Sequence, residues 1–177
     1  MMVNSLAAAE PLRLFSFNQA QPNLAWHVVN DTVMGDRSTS QVSLDQGYMH
    51  FSGVLNTNGG GFASLRSSRQ TMDLAQVNLF RLRIRGDGRT YRFRLTSDND
   101  RASYQRAFST IAGEWVIVEL PVHQFYATWR GRRLNRAPLN PAAVTGFGLI
   151  LADGIDGPFS LDVSWIEADH ADFETKR

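Results

Sequence analysis

Two short stretches concentrate the side chains able to hold another molecule. VNDTVMGDRSTS, just after the apolar residues around Trp26, sets Asn30, Asp31, Asp36, Arg37 and Ser38 within nine residues about a Met34-Gly35 bend. Asn, Asp and Ser commonly bond their own backbone in turns, so a self-satisfied loop is one reading. The other is a recognition surface, with Asn30, Asp31, Arg37 and Ser38 set against a partner's backbone and charges. NTNGGGFASLR adds Asn58, a glycine triplet and Arg66. Glycines permit positive φ and close backbone approach, which suits either a tight connection or a ligand cradle. If the two loops lie side by side, Asn58, Arg66 and Arg37 converge on a carboxylate, a sugar or a peptide. No GK[ST] follows the glycines and Phe62 to Leu65 reads as strand, which excludes a phosphate loop and a dinucleotide fold.

A third stretch, HQFYATWRGRR, mixes Phe125, Tyr126, Trp129 and Arg130. These residue types are enriched where proteins bind one another. Trp129 and Arg130 therefore make a second candidate surface, unless the segment folds back and buries its rings.

Covalent chemistry finds little footing. The four histidines, His27, His50, His123 and His170, have no metal-binding spacing, and no G-x-S-x-G elbow is present. There are no cysteines, so thiolate metal sites, disulfides and cysteine nucleophiles are excluded. Asp31, Asp36, Glu114 and Asp153 are ordinary turn and surface residues as readily as paired catalytic acids. Asp98-Asn99-Asp100 offers calcium-type oxygens but reads better as a hairpin turn. The chain is expected to be non-catalytic and to carry no metal and no cofactor.

With 177 residues, 43% hydrophobic, 20% charged and a net charge of +1, one packed core is expected, without bulk attraction to nucleic acid or anionic lipid. Every basic residue but Lys176 is arginine. The first residues, MMVNSLAAAEPLRLF, lack a basic n-region and a long apolar run, and no window is apolar enough to span a bilayer. The expectation is a cytoplasmic protein, peripheral to a membrane only through a partner. Residues 1–10 are expected as a loosely attached N-terminus, 11–170 as one domain and 171–177 as a tail.

The elements positioning these residues are strands. Period-two alternation recurs in short segments separated by Gly, Asn and Asp. Leu12 to Phe17 and Trp26 to Val29 open the series. Val42 and Leu44 precede Asp45-Gln46-Gly47, a three-residue hairpin loop whose return strand is Tyr48 to Leu55. In NLFRLRIRGDGRTYRFRLTSDND, Phe80, Leu82 and Ile84 oppose Arg81, Arg83 and Arg85; beyond Gly86-Asp87-Gly88, Tyr91, Phe93 and Leu95 oppose Arg92 and Arg94. Read as a pair, these strands place five arginines on one face, either solvated and relieved by acidic residues of a neighbouring strand or partner, or a functional anion-binding face. Tyr104 to Phe108, Trp115 to Leu120, Phe147 to Leu151 and Phe159 to Ile166 complete about ten strands of an antiparallel all-β sandwich. Trp26, Trp115 and Trp165 are expected in the core, and 122–143 as the longest irregular stretch.

Four segments together resemble one family: WHVVNDTVMGDRSTS, FSGVLNTNGGGFASLR, ELPVHQFYATWRGRRL and ADGIDGPFSLDVSWIEA. Their order, with the RGR at Arg130 to Arg132 and DGPF at Asp156 to Phe159, is similar to the complex I intermediate-associated protein 30 family. That resemblance implies a galactose-binding-like jelly roll without an established enzymatic activity. It also implies a role as an assembly factor or chaperone-like partner of subunits of respiratory complex I or another multisubunit complex. The chain departs from the family pattern at Asp36, where a second glycine is common. The alternative is a carbohydrate or small-ligand binding module on the same fold.

Overall fold

The computed structural model describes residues 10–18, 26–29, 39–58 and 61–172. Thirteen strands run through them in chain order: β1 (Leu12–Ser16), β2 (Trp26–Val29), β3 (Thr39–Asp45), β4 (Tyr48–Leu55), β5 (Ala63–Ser67), β6 (Leu79–Arg85), β7 (Thr90–Thr96), β8 (Ser103–Ser109), β9 (Trp115–Pro121), β10 (Tyr126–Trp129), β11 (Arg132–Arg133), β12 (Gly146–Leu151) and β13 (Gly157–Asp169). Helical structure among the described residues is confined to two single 3-10 turns, Val122–Gln124 and Pro141–Ala143. No helix there is long and apolar enough to cross a membrane. The ends expected to be loose, 1–10 and 171–177, lie outside the described residues apart from Glu10, Ala171 and Asp172.

Alternation along each strand sorts the chain into two antiparallel layers. One is six-stranded, ordered β3-β4-β13-β6-β9, with β1 also on β13; the other is seven-stranded, β11-β10-β8-β7-β12-β5-β2. The all-β jelly-roll architecture expected from the sequence is the one observed. Phe51, Phe80, Leu82, Ile84, Leu161, Val163 and Ile166 line the inner face of the first sheet. Leu65, Tyr91, Phe93, Leu95, Phe147 and Leu149 line that of the second. Rings meet across the gap, Phe80 against Phe93 at 5.7 Å and Phe15 against Phe147 at 5.2 Å between centroids. Each such fully buried side chain contributes about 1.5–3 kcal/mol.

The pairing of β6 with β7 is corrected. β6 lies between β13 and β9, whereas β7 lies between β8 and β12 in the other sheet. Gly86-Asp87-Gly88 therefore crosses between layers, and the two apolar faces meet front to front instead of side by side. Arg81, Arg83 and Arg85 accordingly stand on one outer surface and Arg92 and Arg94 on the opposite one. Three smaller expectations also change. The β3–β4 loop is the two-residue Gln46-Gly47, with φ of 53° and 86°, because Asp45 pairs with Tyr48. This is the mirror-image turn that suits strand twist. Residues 122–143 are largely structured, holding both 3-10 turns and the β10–β11 hairpin. Trp26 is buried, but Trp115 and Trp165 are half-exposed on the outer face of the six-stranded sheet. For Trp165 the reason is a register shift between Val163 and Trp165, which flips the alternation and turns the indole outward.

Candidate functional site

The two outer faces treat their arginines differently. On the six-stranded sheet, pairing sets Arg13 beside Glu167, Glu167 beside Arg81 and Arg81 beside Glu119. Arg13 Nη2 lies 3.2 Å from Glu167 Oε2, and Arg81 Nη1 donates to Asp169 Oδ2 at 2.6 Å. Two rows along the same face, Asp162 accepts from Arg85 Nε at 2.9 Å and contacts His50 Nδ1 at 2.5 Å. Arg83 and Arg85 lie over the Trp115 ring at 4.6 and 4.7 Å, and Arg13 over Trp165 at 4.3 Å. For Arg13, Arg81 and Arg85 the acidic relief comes from strands β13 and β9, and Arg83 is set over the Trp115 ring, so this face is largely satisfied.

The seven-stranded sheet is not. Register places His27, Arg66, Gly148, Arg94, Gln105 and Tyr126 in one transverse row across β2, β5, β12, β7, β8 and β10. Arg66 and Arg94 flank Gly148, and the Nε of each is buried without a hydrogen-bond partner among the described residues. Gln105 Oε1 in the same row and Ser64 Oγ, two residues before Arg66 on the same strand face, are likewise buried and unpartnered. Burial lowers the pKa of both guanidiniums; in Arg94, where the Arg66 charge adds to burial, it falls to about 10. Unpaired buried polar groups are rare because each loses its hydration without replacement.

The missing side chain at Gly148 brings the two arginines together. A Cβ there would stand 3.0 Å from the Leu65 carbonyl oxygen, 3.6 Å from Arg94 Cβ and 3.8 Å from Arg66 Cγ. A cavity of about 50 Å³ opens between Arg66 and Arg94, with Gly146, Gly148 and Thr96 in its lining. Chemically, this is a pair of N–H donors with positive charge, with the Ser67 and Thr96 hydroxyls also in the lining.

A larger, open cavity of about 500 Å³ lies between β8, β10 and residues 133–138. Two of its polar groups have partners within the protein: Arg136 bonds Asp100 at 3.0 Å and the Tyr104 hydroxyl donates to Ala137 O at 2.7 Å. It makes no comparable demand for a ligand. Asp98 is likewise engaged, by Arg69 Nε at 2.7 Å and Thr145 Oγ1 at 2.9 Å, so the Asp98-Asn99-Asp100 turn spends its carboxylates on arginines.

The residues singled out from the sequence scatter over this frame. Asn30, Asp31, Arg37 and Ser38 lie outside the described residues. Asn58 stands in the β4–β5 loop, where its backbone N–H donates to Asn56 Oδ1 at 3.0 Å, a local turn contact. Arg66 sits on the sheet face, three residues into β5, and meets Arg94. Trp129 and Arg130 form the β10–β11 hairpin tip; Trp129 is 41% exposed and Arg130 lies over its ring at 4.7 Å. Phe125 is buried in the core, so this aromatic cluster divides between core and surface. The hairpin tip is at the end where Thr96 and Gly146 pair, whereas Asn58 leads into Ala63, which pairs with Leu151 at the opposite end. Arg94, Ser64, Gln105 and Gly148 were not singled out as site residues. The outward parity of Arg94 was legible, but its adjacency to Arg66 depends on β12 lying between β5 and β7.

Arg89 was missed as well. Its guanidinium grips Asp153 with Nε–Oδ2 2.8 Å and Nη2–Oδ1 2.7 Å, and donates to the carbonyls of Ile155, Gly157 and Pro158. Hydrogen bonding from Arg89 holds the Asp153 carboxyl below its ordinary pKa. Asp87 closes the same rim, accepting from Ser160 N at 2.9 Å and Tyr91 Oη at 3.1 Å. All these groups are consumed in fastening the DGIDGPF loop.

Among known structures, a family 11 carbohydrate-binding module from Clostridium thermocellum, solved with a mixed-linked tetrasaccharide, superposes with a TM-score of 0.67. The identity is 16%, over 93% of this chain and 98% of that one, a likeness of fold. The fold is galactose-binding-like. Among curated proteins, the mitochondrial complex I intermediate-associated protein 30 of Drosophila melanogaster is 29% identical over 86% of this chain and 61% of its own length. That of Mus musculus is 32% identical over 53% of this chain and 31% of its own length. The chain thus spans less than two thirds of these relatives. Their names overturn the cytoplasmic expectation and point to mitochondria; that expectation rested on the opening residues alone, which carry no information on how the longer relatives are addressed. Residues 15–163 match the model of the complex I intermediate-associated protein 30 family, and the chain belongs to that family.

Proposed function

We propose that this domain is a non-catalytic binding protein, an assembly factor or chaperone-like partner that holds an incomplete subunit of a complex I type or other multisubunit complex. The observation that carries the reading is the pair of arginines, Arg66 and Arg94, each with a buried and unpartnered Nε on the same sheet face. Such groups call for a bound partner. Family membership supplies the class of client, since the curated relatives are named for complex I intermediates. The proposed contact surface is the outer face of the seven-stranded sheet, extended at one edge by Trp129 and Arg130. A rigid sheet loses little conformational entropy on binding.

Affinity capture from the native organism tests this. Wild-type chain is expected to recover complex I subunits reproducibly, and the Arg66→Gln/Arg94→Gln double variant to lose them. Capture that is indifferent to both substitutions would remove this face from the proposal. The carbohydrate-module reading draws on the superposition with the saccharide-bound module. It is weakened by the absence of an open stacking platform in the arginine row, where Arg133 lies over the Tyr126 ring at 4.5 Å. A glycan-array signal without any protein client would favour it.

A further inference from the structure

We propose that Arg66 and Arg94 form a carboxylate-binding cradle that recognises an acidic side chain on an extended segment of a protein partner; this rests on the binding-protein reading above. Each arginine offers one buried, unpartnered Nε–H, and the two flank Gly148 on adjoining strands. Two fixed N–H donors beside one small cavity match the two oxygens of one carboxylate. The absent Cβ of Gly148 leaves room for that group to descend between the arginine stems, with Leu65 O and Arg94 Cβ at the limits of the space.

The neighbouring groups narrow the ligand further. Ser64 Oγ and the buried Gln105 Oε1 are also unpartnered. The Ser64 hydroxyl can donate or accept, whereas Gln105 Oε1 only accepts, so the ligand that completes the row brings a donor alongside its negative charge. Inorganic phosphate and sulfate bring few or none near neutral pH, whereas a peptide carries a backbone N–H beside every acidic side chain. A uronic acid also has donors, but sugar rings bind best on an open aromatic face, and Tyr126 is covered by Arg133. The cradle shares its face with no carboxylate that reaches either Nε among the described residues. The opposite sheet differs, for there Glu167, Asp162 and Asp169 occupy the arginines.

The test is arginine Nε–Hε NMR on the full chain, titrated with acetyl-Gly-Glu-Gly-Glu-Gly-amide, its glutamine counterpart, digalacturonate and inorganic phosphate. The Arg66 and Arg94 resonances are expected to shift with the glutamate peptide and stay in place with the glutamine one. Arg66→Gln and Arg94→Gln are each expected to weaken the glutamate peptide by about ten-fold or more, as loss of a charge-assisted bond implies. Arg83→Gln, on the outer face of the opposite sheet, is expected to leave that affinity unchanged. Equal response to both peptides, no response, or response only to digalacturonate or phosphate each overturns the proposal. Because the wild-type resonances report directly, the test survives a variant that folds poorly. Failure here with client capture intact overturns the cradle alone; a glutamate response in a chain that captures nothing overturns the assembly reading alone.

Discussion

An arginine that lacks a counter-charge inside the fold is a burden to the free protein. For Arg94, burial and the neighbouring Arg66 charge depress the guanidinium pKa to about 10, well below its ordinary value. The folded state therefore holds this proton less tightly than the unfolded chain. The destabilisation is fully present below pH 10 and is relieved as pH rises above it. Arg94→Met is accordingly expected to leave the melting temperature unchanged or raise it while abolishing partner binding, the signature of a residue kept for contact. Thermal melts of the two proteins side by side check this. Asp153 behaves oppositely: with its folded pKa lowered by Arg89, its contribution is present above the unfolded carboxylate pKa and lost as pH falls through the folded one. Asp153→Asn should reduce stability at neutral pH and flatten the acid limb of a stability-against-pH curve. Arg89→Ala strands Asp153 at 11% side-chain exposure and is expected to cost about 3–5 kcal/mol in urea unfolding.

At the level of strands and turns, Gly148 and Gly47 carry different demands. Gly148→Ala forces a methyl against the Leu65 carbonyl and between the arginine stems, with an expected cost of about 1–3 kcal/mol and a weakened cradle. Gly47, at φ 86°, has only Asn18 nearby, so Gly47→Ala costs about 1–2 kcal/mol through backbone strain alone and leaves binding intact. Comparing unfolding free energies with peptide affinity separates the two. These positions also mark what alternation can and cannot tell. The inward parity of Phe80, Leu82, Ile84, Tyr91, Phe93 and Leu95 was legible because polar arginines separate them. Parity names a face and leaves the neighbour open, and for that reason β6 and β7 were wrongly joined into one sheet. In β9 the run WVIVEL is apolar at both parities, so nothing local says that Leu120 is buried and Ile117 is 54% exposed. Arg66 was singled out beside its glycine triplet, but its pairing with Arg94 requires three strands distant in sequence to align.

For the whole molecule, the sandwich is held by the meeting of two apolar faces. Phe93 is fully buried and touches Phe80, Phe125 and Phe147 at 5.7–6.3 Å between centroids. Phe93→Ala is expected to cost about 3–5 kcal/mol and to loosen both sheets together, which calorimetry would register as one cooperative transition at lower temperature. The order in which such a body can be built follows from β13. This strand of thirteen residues pairs with β6 along one side and with β4 and then β1 along the other. It is the spine of the six-stranded sheet, yet a ribosome makes it after every strand it joins. Until residue 169 clears the exit tunnel, β1, β4 and β6 emerge with open edges and nothing to bridge them. The six-stranded sheet therefore closes only after β13, the strand that bridges β1, β4 and β6, has been made.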